Sequence, residues 1–226
     1  VFTKAGLIWD PSDPMRAPAK VGAPESIKAE VDESLSRLGV ERIDLYQMHW
    51  PSTDGSSIEA YWQAFLDLRQ AGKVRAVGLS NHSVPQLEAA EALGHVDTLQ
   101  PKLNLIHRDA ADVLTWCEDH DTGVLVYSPM ASGLLTGTFD AQRAAALQPE
   151  DWRSRDLDFT GDRLARHLAV VDTLRPIAAR NGVSVAAVAV AWTLAFRGVT
   201  GAIVGLRRPE PVDAWLAAAS LELADD

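Results

Sequence analysis

Apolar positions recur at two spacings along this chain, and the places where one spacing gives way to the other mark its elements. Residues 43–48, Ile-Asp-Leu-Tyr-Gln-Met, carry apolar side chains at both parities, as a strand does when both its faces are buried in a parallel sheet. The run stops at His49, Trp50 and Pro51, and proline cannot donate to a ladder. His49 therefore falls at the carboxyl end of a buried strand, where βα architectures carry their chemistry. From this stretch alone, His49 reads equally well as a strand-terminal residue bonded to a loop. Upstream, Ile27, Val31, Leu35 and Leu38 share one helical face, with Gly39 as the C-terminal stop. Downstream, Ser56 and Glu59 stand at capping-box spacing before a helix whose apolar stripe is Ile58, Trp62, Phe65 and Leu66, closed by Gly72.

The alternation continues to the end of the chain. Residues 1–4 read as the end of a strand and 10–24 as a loop rich in Pro, Ser, Asp and Gly. Residues 74–79 form a strand ending in Ser80 and Asn81, and Ser83 with Gln86 makes a second capping box for a helix running towards Gly94. Strands are expected within 96–106 and at 124–127, with a short helix over 112–120 between them. The segment 130–137 is small and flexible in composition. Residues 138–162 are weakly periodic and rich in Asp and Arg, with Trp152 and Phe159 as aromatic anchors, and their length suits a lid over a site. Helices over 164–180 and 184–196, a sixth strand at 201–205, and a last helix from Pro209 carrying Val212, Trp215 and Leu216 complete the pattern.

Strand then helix, six times over, implies an α/β fold with a parallel sheet and helical crossovers. No G-x-G-x-x-G turn follows any strand, which argues against a doubly wound dinucleotide fold. A barrel of such units needs eight. The expectation is a single, incomplete (β/α)8 TIM-barrel domain over residues 1–226, with two further units before Val1. At 226 residues, 47% hydrophobic and 23% charged, the chain has enough material for a sizeable core. Its net charge of −10 disfavours nucleic acid as a partner, and no apolar run reaches membrane-spanning length. The single Cys117 rules out an internal disulfide and fits a reducing compartment, so a cytoplasmic location is expected.

Six short motifs stand in order along the chain: Thr3-Lys4, Asp44-Leu-Tyr-Gln-Met-His-Trp-Pro51, Gly78-Leu-Ser-Asn81, Gln100 with Asn104, Tyr127-Ser-Pro-Met-Ala-Ser-Gly-Leu-Leu135, and Gly205-Leu-Arg-Arg-Pro-Glu210. Each is weak alone. In register, and each at an expected strand end, they resemble the aldo-keto reductases over nearly the whole chain. The resemblance implies an eight-stranded barrel that binds NADPH in extended form at its C-terminal mouth and reduces aldehydes or ketones. In that family the cofactor supplies hydride to the carbonyl carbon. A tyrosine donates the proton, a lysine and an aspartate tune it, and a histidine orients the carbonyl.

By position, the resemblance implies Lys4 and His49 as two members of the catalytic set. The tyrosine and aspartate belong to the family's second βα unit, which is expected upstream. Tyr46 is no substitute, because it precedes His49 by an odd number of residues and faces away from it on a strand. Ser80, Asn81 and Gln100 match the residues that hold the nicotinamide carboxamide, and Leu103 stands where many relatives place a stacking tyrosine, which would leave the ring against an aliphatic wall. Tyr127, Ser128, Met130, Ser132, Gly133 and Leu135 match the loop over the pyrophosphate, where small residues permit close backbone approach. Gly205, Arg207 and Arg208 match the segment that grips the adenosine 2′-phosphate, which suits a guanidinium fork. Pro211 and Trp215 replace a glutamine and an asparagine that touch adenine in several relatives.

Trp9 and Trp50 fit the wall of a substrate pocket and fit ordinary packing equally well. His82, His95, His107, His120 and His167 show no paired ligand spacing on a shared face, so no metal is expected. The family also contains cofactor-binding relatives without catalysis, such as potassium-channel β-subunits, and these form a second reading. An inert fragment is a third. With two barrel units and the proton donor upstream, residues 1–226 alone are expected to have open sheet edges and no carbonyl reductase activity.

Overall fold

The structure, a computed structural model, describes residues 1–13, 16–206 and 212–223. Arg207, Arg208, Pro209 and Pro211 lie outside the described residues, and with them the expected start of the last helix. The chain divides into two compact units, Val1–Pro101 with Asp112–Leu125, and Lys102–Ala111 with Val126–Asp226.

The first unit is the parallel sheet that the strand–helix alternation implies. Its strands are β1 (Phe2–Ala5), β4 (Ile43–Met48), β5 (Val74–Ser80), β6 (Thr98–Gln100) and the first three residues of β7 (Gly123–Tyr127), adjacent in that order and paired in parallel. A short antiparallel ribbon, β2 (Leu7–Ile8) with β3 (Ala19–Lys20), follows β1. The crossovers are α1 (Pro24–Leu38), α2 (Ile58–Gln70) and α3 (Val84–Glu91), and α4 (Ala111–Asp119) precedes β7. The register sets Lys4 opposite Gln47, Gln47 opposite Gly78, and Gly78 opposite Thr98. Side chains alternate along each strand, so these four share one face, with His49, Ser80 and Gln100 two residues further along it. Tyr46 projects from the other face and packs on Phe65 of α2 with ring centroids 5.3 Å apart.

Local details depart from the sequence pattern where tertiary context decides. Helix α1 has Pro24 in its first turn and ends on Gly39 at φ 65°, the left-handed stop its glycine supplies. Only Ile27 and Val31 of its apolar face are buried. Leu38 is exposed and lines an open groove with Leu7 and Ile8 beside β1, the edge strand of the sheet. The cap of α2 is Ser57, whose Oγ accepts from the Ala60 amide at 3.3 Å, rather than Ser56. The carbonyl of Ser56 instead accepts from Ser52 Oγ at 2.7 Å. Strand β6 is three residues long and lies within the expected 96–106, ending where Pro101 interrupts the ladder.

The second unit holds α5 (Ala141–Ala145), α6 (Gly161–Asn181), α7 (Val185–Ala195), β8 (Gly201–Ile203) and α8 (Val212–Leu216). Its core gathers Leu134, Leu135, Phe139, Phe159, Val171, Leu174 and Val188. Ser184 caps α7, accepting from the Ala187 amide at 3.0 Å. The segment 138–162 packs into this core through Phe159. Trp152, expected as a second anchor, is 49% exposed and meets Phe159 edge-on at 5.7 Å. No single helix among the described residues is long and apolar enough to cross a membrane.

Candidate active site

The strand ends of the first unit bring the sequence-expected catalytic pair to one face. Lys4 is half-buried near the end of β1, and His49 follows β4, its amide donating to the Ala5 carbonyl at 3.0 Å. Burial lowers the Lys4 pKa. The His49 pKa is lowered by burial first and by the Lys4 cation second, which places the two within electrostatic reach. The result is a neutral imidazole beside a destabilised ammonium, a pair able to hold and polarise an oxygen.

The next two strand ends form a continuous hydrogen-bonded set. The Asn81 side-chain amide donates to the His49 carbonyl and to Ser80 Oγ, both at 3.1 Å, and Ser80 Oγ donates to the Gln100 carbonyl at 2.8 Å. Asn81 sits at φ 63°, a left-handed conformation that asparagine tolerates better than most residues. Below this set, Gln100 Nε2 donates to Gln47 Oε1 at 2.8 Å, and Gln47 Nε2 donates to Thr98 Oγ1 at 2.9 Å. Gln47 has no role in the sequence reading beyond its place in a motif. The available signal is a glutamine at an inward position of a buried strand, which must find polar partners.

Trp9 is 60% exposed and lines the groove that also holds Lys4. Trp50 is half-buried, with the Lys20 ammonium 4.4 Å from its ring centroid.

In the second unit, a cavity of ≈ 800 Å³ is lined by Tyr127, Ser128, Met130, Ser132, Gly133, Arg153, Gly205 and Trp215, among others. Most of the expected cofactor loop is therefore gathered on one wall. Two expected positions lie away from the cavity surface. Leu135 is wholly buried in the core and gives the cavity no surface, and Leu103 is likewise 0% exposed, its amide bonded to the Tyr127 carbonyl at 3.4 Å. Leu103 therefore cannot be an aliphatic wall for a ring, and Tyr127 is the aromatic residue at this strand end that lines the cavity. Asn104, fully buried, donates to the Ser128 carbonyl at 2.9 Å and accepts from the Ile106 and His107 amides, pinning the turn before the loop.

The loop itself is conformationally unusual. Ser128, Ala131 and Ser132 have φ of 58°, 47° and 52°, and such strain persists only where the surroundings hold it, whereas Gly133 adopts its φ of 107° freely. Arg153 is one such support, and in the sequence nothing sets it apart from the other arginines of a polar, Arg-rich segment. It is 8% exposed, its fork grips Asp151 at 3.0 and 2.6 Å, and its Nη1 lies 3.5 Å from the Ser132 carbonyl. The bond to Asp151 raises the Arg153 pKa. These residues fit a dinucleotide: the volume is sufficient, the loop is small enough for close approach, and the Trp215 indole N–H is a buried donor without a partner among the described residues.

Parallel βα units whose strand ends carry Lys4, His49, Ser80, Asn81 and Gln100 are the build of an α/β enzyme with its chemistry at the carboxyl ends of its strands. Comparison with known proteins narrows this class. The model of the aldo/keto reductase family matches residues 1–226, and the chain belongs to that family. It is 34% identical over 214 residues to the aldo-keto reductase YhdN of Bacillus subtilis, covering 94% of this chain and 62% of that protein. It is 30% identical over 234 residues to the NADH-specific methylglyoxal reductase of Escherichia coli, covering 100% of this chain and 71% of the relative. Among solved structures, the glycerol dehydrogenase AKR11B4 from Gluconobacter oxydans superposes with a TM-score of 0.90 at 36% identity, over 98% of this chain and 67% of that one. The chain thus spans about two thirds of the length of these relatives.

Proposed function

We propose that this chain is the larger part of a cytoplasmic (β/α)8-barrel reductase that converts a small aldehyde or ketone to an alcohol with NADPH. The observation that carries the reading is the placement of Lys4, His49, Ser80 and Gln100 at successive strand ends on one face of a parallel sheet. His49, kept neutral by burial and by Lys4, would hold the substrate carbonyl oxygen, and Lys4 would supply the positive field as that oxygen gains charge. Ser80, Asn81 and Gln100 would take the nicotinamide carboxamide, and Tyr127, Ser128, Met130, Ser132 and Gly133 would take the pyrophosphate. The bound cofactor would supply the hydride.

The proton must come from elsewhere. Of the chain's three tyrosines, Tyr46 projects from the other face of the sheet, Tyr61 is bonded to His82, and Tyr127 lines the cavity of the second unit. We assign the acid to a tyrosine upstream of Val1, on units that would also complete the barrel beside β1. Residues 1–226 alone would then bind substrate poorly and turn nothing over.

Methylglyoxal and glycerol, in the names of two relatives, are both small three-carbon compounds, so methylglyoxal and glyceraldehyde are the first substrates to try. Oxidation of NADPH by the full-length protein, absent with residues 1–226 alone, is the expected result. Turnover by the 226-residue chain would overturn the assignment of the acid. The choice of NADPH rests on Arg207 and Arg208, and the relative from Escherichia coli is NADH-specific by name. Fluorescence titration should show NADPH favoured by about 1–3 kcal/mol, with Arg207→Ala and Arg208→Ala together removing most of that gap. Equal affinities in the unmodified protein would overturn the assignment of Arg207 and Arg208 to a 2′-phosphate.

A further inference from the structure

We propose that Gln47 is a positioning residue that fixes which end of the Gln100 amide faces a bound nicotinamide. The inference rests on the assignment of Gln100 to the carboxamide and adds what orients it. Gln47 is 1% exposed and Gln100 4%, and both project from the face of the sheet that carries Lys4 and His49.

Gln47 spans from β4 to β6, two strands away, because Gly78 stands between them without a side chain. Thr98 Oγ1 fills the space that side chain would take: a Cβ on Gly78 would lie 2.1 Å from it. The Gln47 amide meets this same hydroxyl, Nε2 donating at 2.9 Å.

An amide has one donating end and one accepting end. With Nε2 committed to Thr98, Gln47 turns Oε1 to Gln100, and only Gln100 Nε2 can answer it, as it does at 2.8 Å. Gln100 Oε1 is then the end that this bond leaves over. An oxygen presented in this way selects a ligand with an N–H donor, here the amino end of a carboxamide. Without Gln47, the Gln100 amide could turn over and offer its own N–H instead, and the selection would be lost. Gln47 touches neither cofactor nor substrate in this arrangement and acts only through Gln100.

The test measures dissociation constants by calorimetry on the full-length protein, for NADP+ (or NAD+, if it binds more tightly) and for the 3-acetylpyridine analogue, in which a methyl group replaces the carboxamide amino group. The unmodified protein should prefer the natural cofactor by about tenfold, and Gln47→Leu should cut that preference to about twofold or less. Gln47→Glu keeps an acceptor towards Gln100 and should keep the preference. Thr98→Val changes little volume and frees the Nε2 end of Gln47, so it should also lower the ratio and carries the test if Gln47→Leu does not fold. A purely structural role for Gln47 would weaken both ligands alike and leave the ratio intact. An unchanged ratio in the folded variants, or no preference in the unmodified protein, overturns the proposal. Failure of the unmodified protein to bind any of these cofactors overturns the assignment of Gln100 itself, a result distinct from the other two.

Discussion

The imidazole of His82 bridges two elements: Nε2 lies 2.8 Å from the Tyr61 hydroxyl on α2, and Nδ1 lies 2.8 Å from the Ser80 carbonyl at the end of β5. A carbonyl only accepts, so Nδ1 carries the hydrogen, Nε2 accepts, and Tyr61 donates. The ring is buried and neutral, and it anchors the strand end immediately before the left-handed turn at Asn81. Burial pushes its pKa down to about 4, against the opposing effect of the bond to Ser80.

This depressed pKa sets an acid limit on stability. Imidazole in an unfolded chain titrates at about 6.5, so between that value and about 4 the unfolded state binds a proton that the native state does not. The stabilisation is therefore fully present above about pH 6.5 and is lost as pH falls towards 4, a change of about 3 kcal/mol. Urea titrations of the full-length protein at stepped pH should show this slope, and His82→Phe should flatten it. At pH 7 the same variant should be less stable by about 1–3 kcal/mol, since the Tyr61 hydroxyl loses its acceptor. Parallel slopes for the two proteins would show that another group governs the acid limb.

Lys4 and His49 offer a second titration. Burial is the larger cause of the low His49 pKa and the Lys4 cation the smaller. Lys4→Met should raise the His49 pKa while leaving it below the ordinary imidazole value, because the desolvation remains. NMR titration of the His49 ring protons reads this directly. A pKa that falls or stays fixed in Lys4→Met would separate the two residues electrostatically and remove the basis for pairing them.

How much of this was legible in the sequence depends on the kind of cause. The strand of 43–48 is readable to the residue because apolar side chains at both parities and a terminal proline are local signals. The ends of β4, β5 and β6 are readable as polar interruptions of apolar runs. Ser57 taking the cap from Ser56 is decided by backbone angles that two adjacent serines do not distinguish. Leu103 and Leu135 look like site residues by position, yet both are drawn into the core, where neighbours from distant segments settle a leucine's fate. Arg153 is hidden for the opposite reason: an arginine in a polar segment reads as solvated until Asp151 and the rings of Phe139 and Phe159 close around it.

The burial of Leu103 reverses the consequence of enlarging it. If it were an open wall, Leu103→Tyr would give a bound ring something to stack on. In a close-packed core the larger side chain forces displacement, at a cost of about 1–3 kcal/mol. The variant should melt earlier and bind cofactor no more tightly than the unmodified protein. A gain in affinity with unchanged stability would mean that Leu103 reaches a cavity after all.

Arg153 carries the most specific prediction for the loop. Its fork neutralises Asp151, and its third nitrogen approaches the carbonyl of Ser132, a residue in the left-handed region. Arg153→Met retains apolar bulk between Phe139 and Phe159 but takes the guanidinium away from the Asp151 carboxylate, which keeps the backbone N–H of residue 153, so stability should fall by about 1–3 kcal/mol. Adding Asp151→Asn removes the carboxylate charge that the guanidinium neutralised and should restore part of that loss. Cofactor affinity should behave differently. If Arg153 holds the loop at Ser132, affinity falls in the single variant and stays low in the double, because neither methionine nor asparagine replaces the contact to the carbonyl. Urea denaturation and cofactor titration on the same two variants separate the effects. Affinity that recovers together with stability in the double variant would reduce Arg153 to half of an ion pair with no part in shaping the loop.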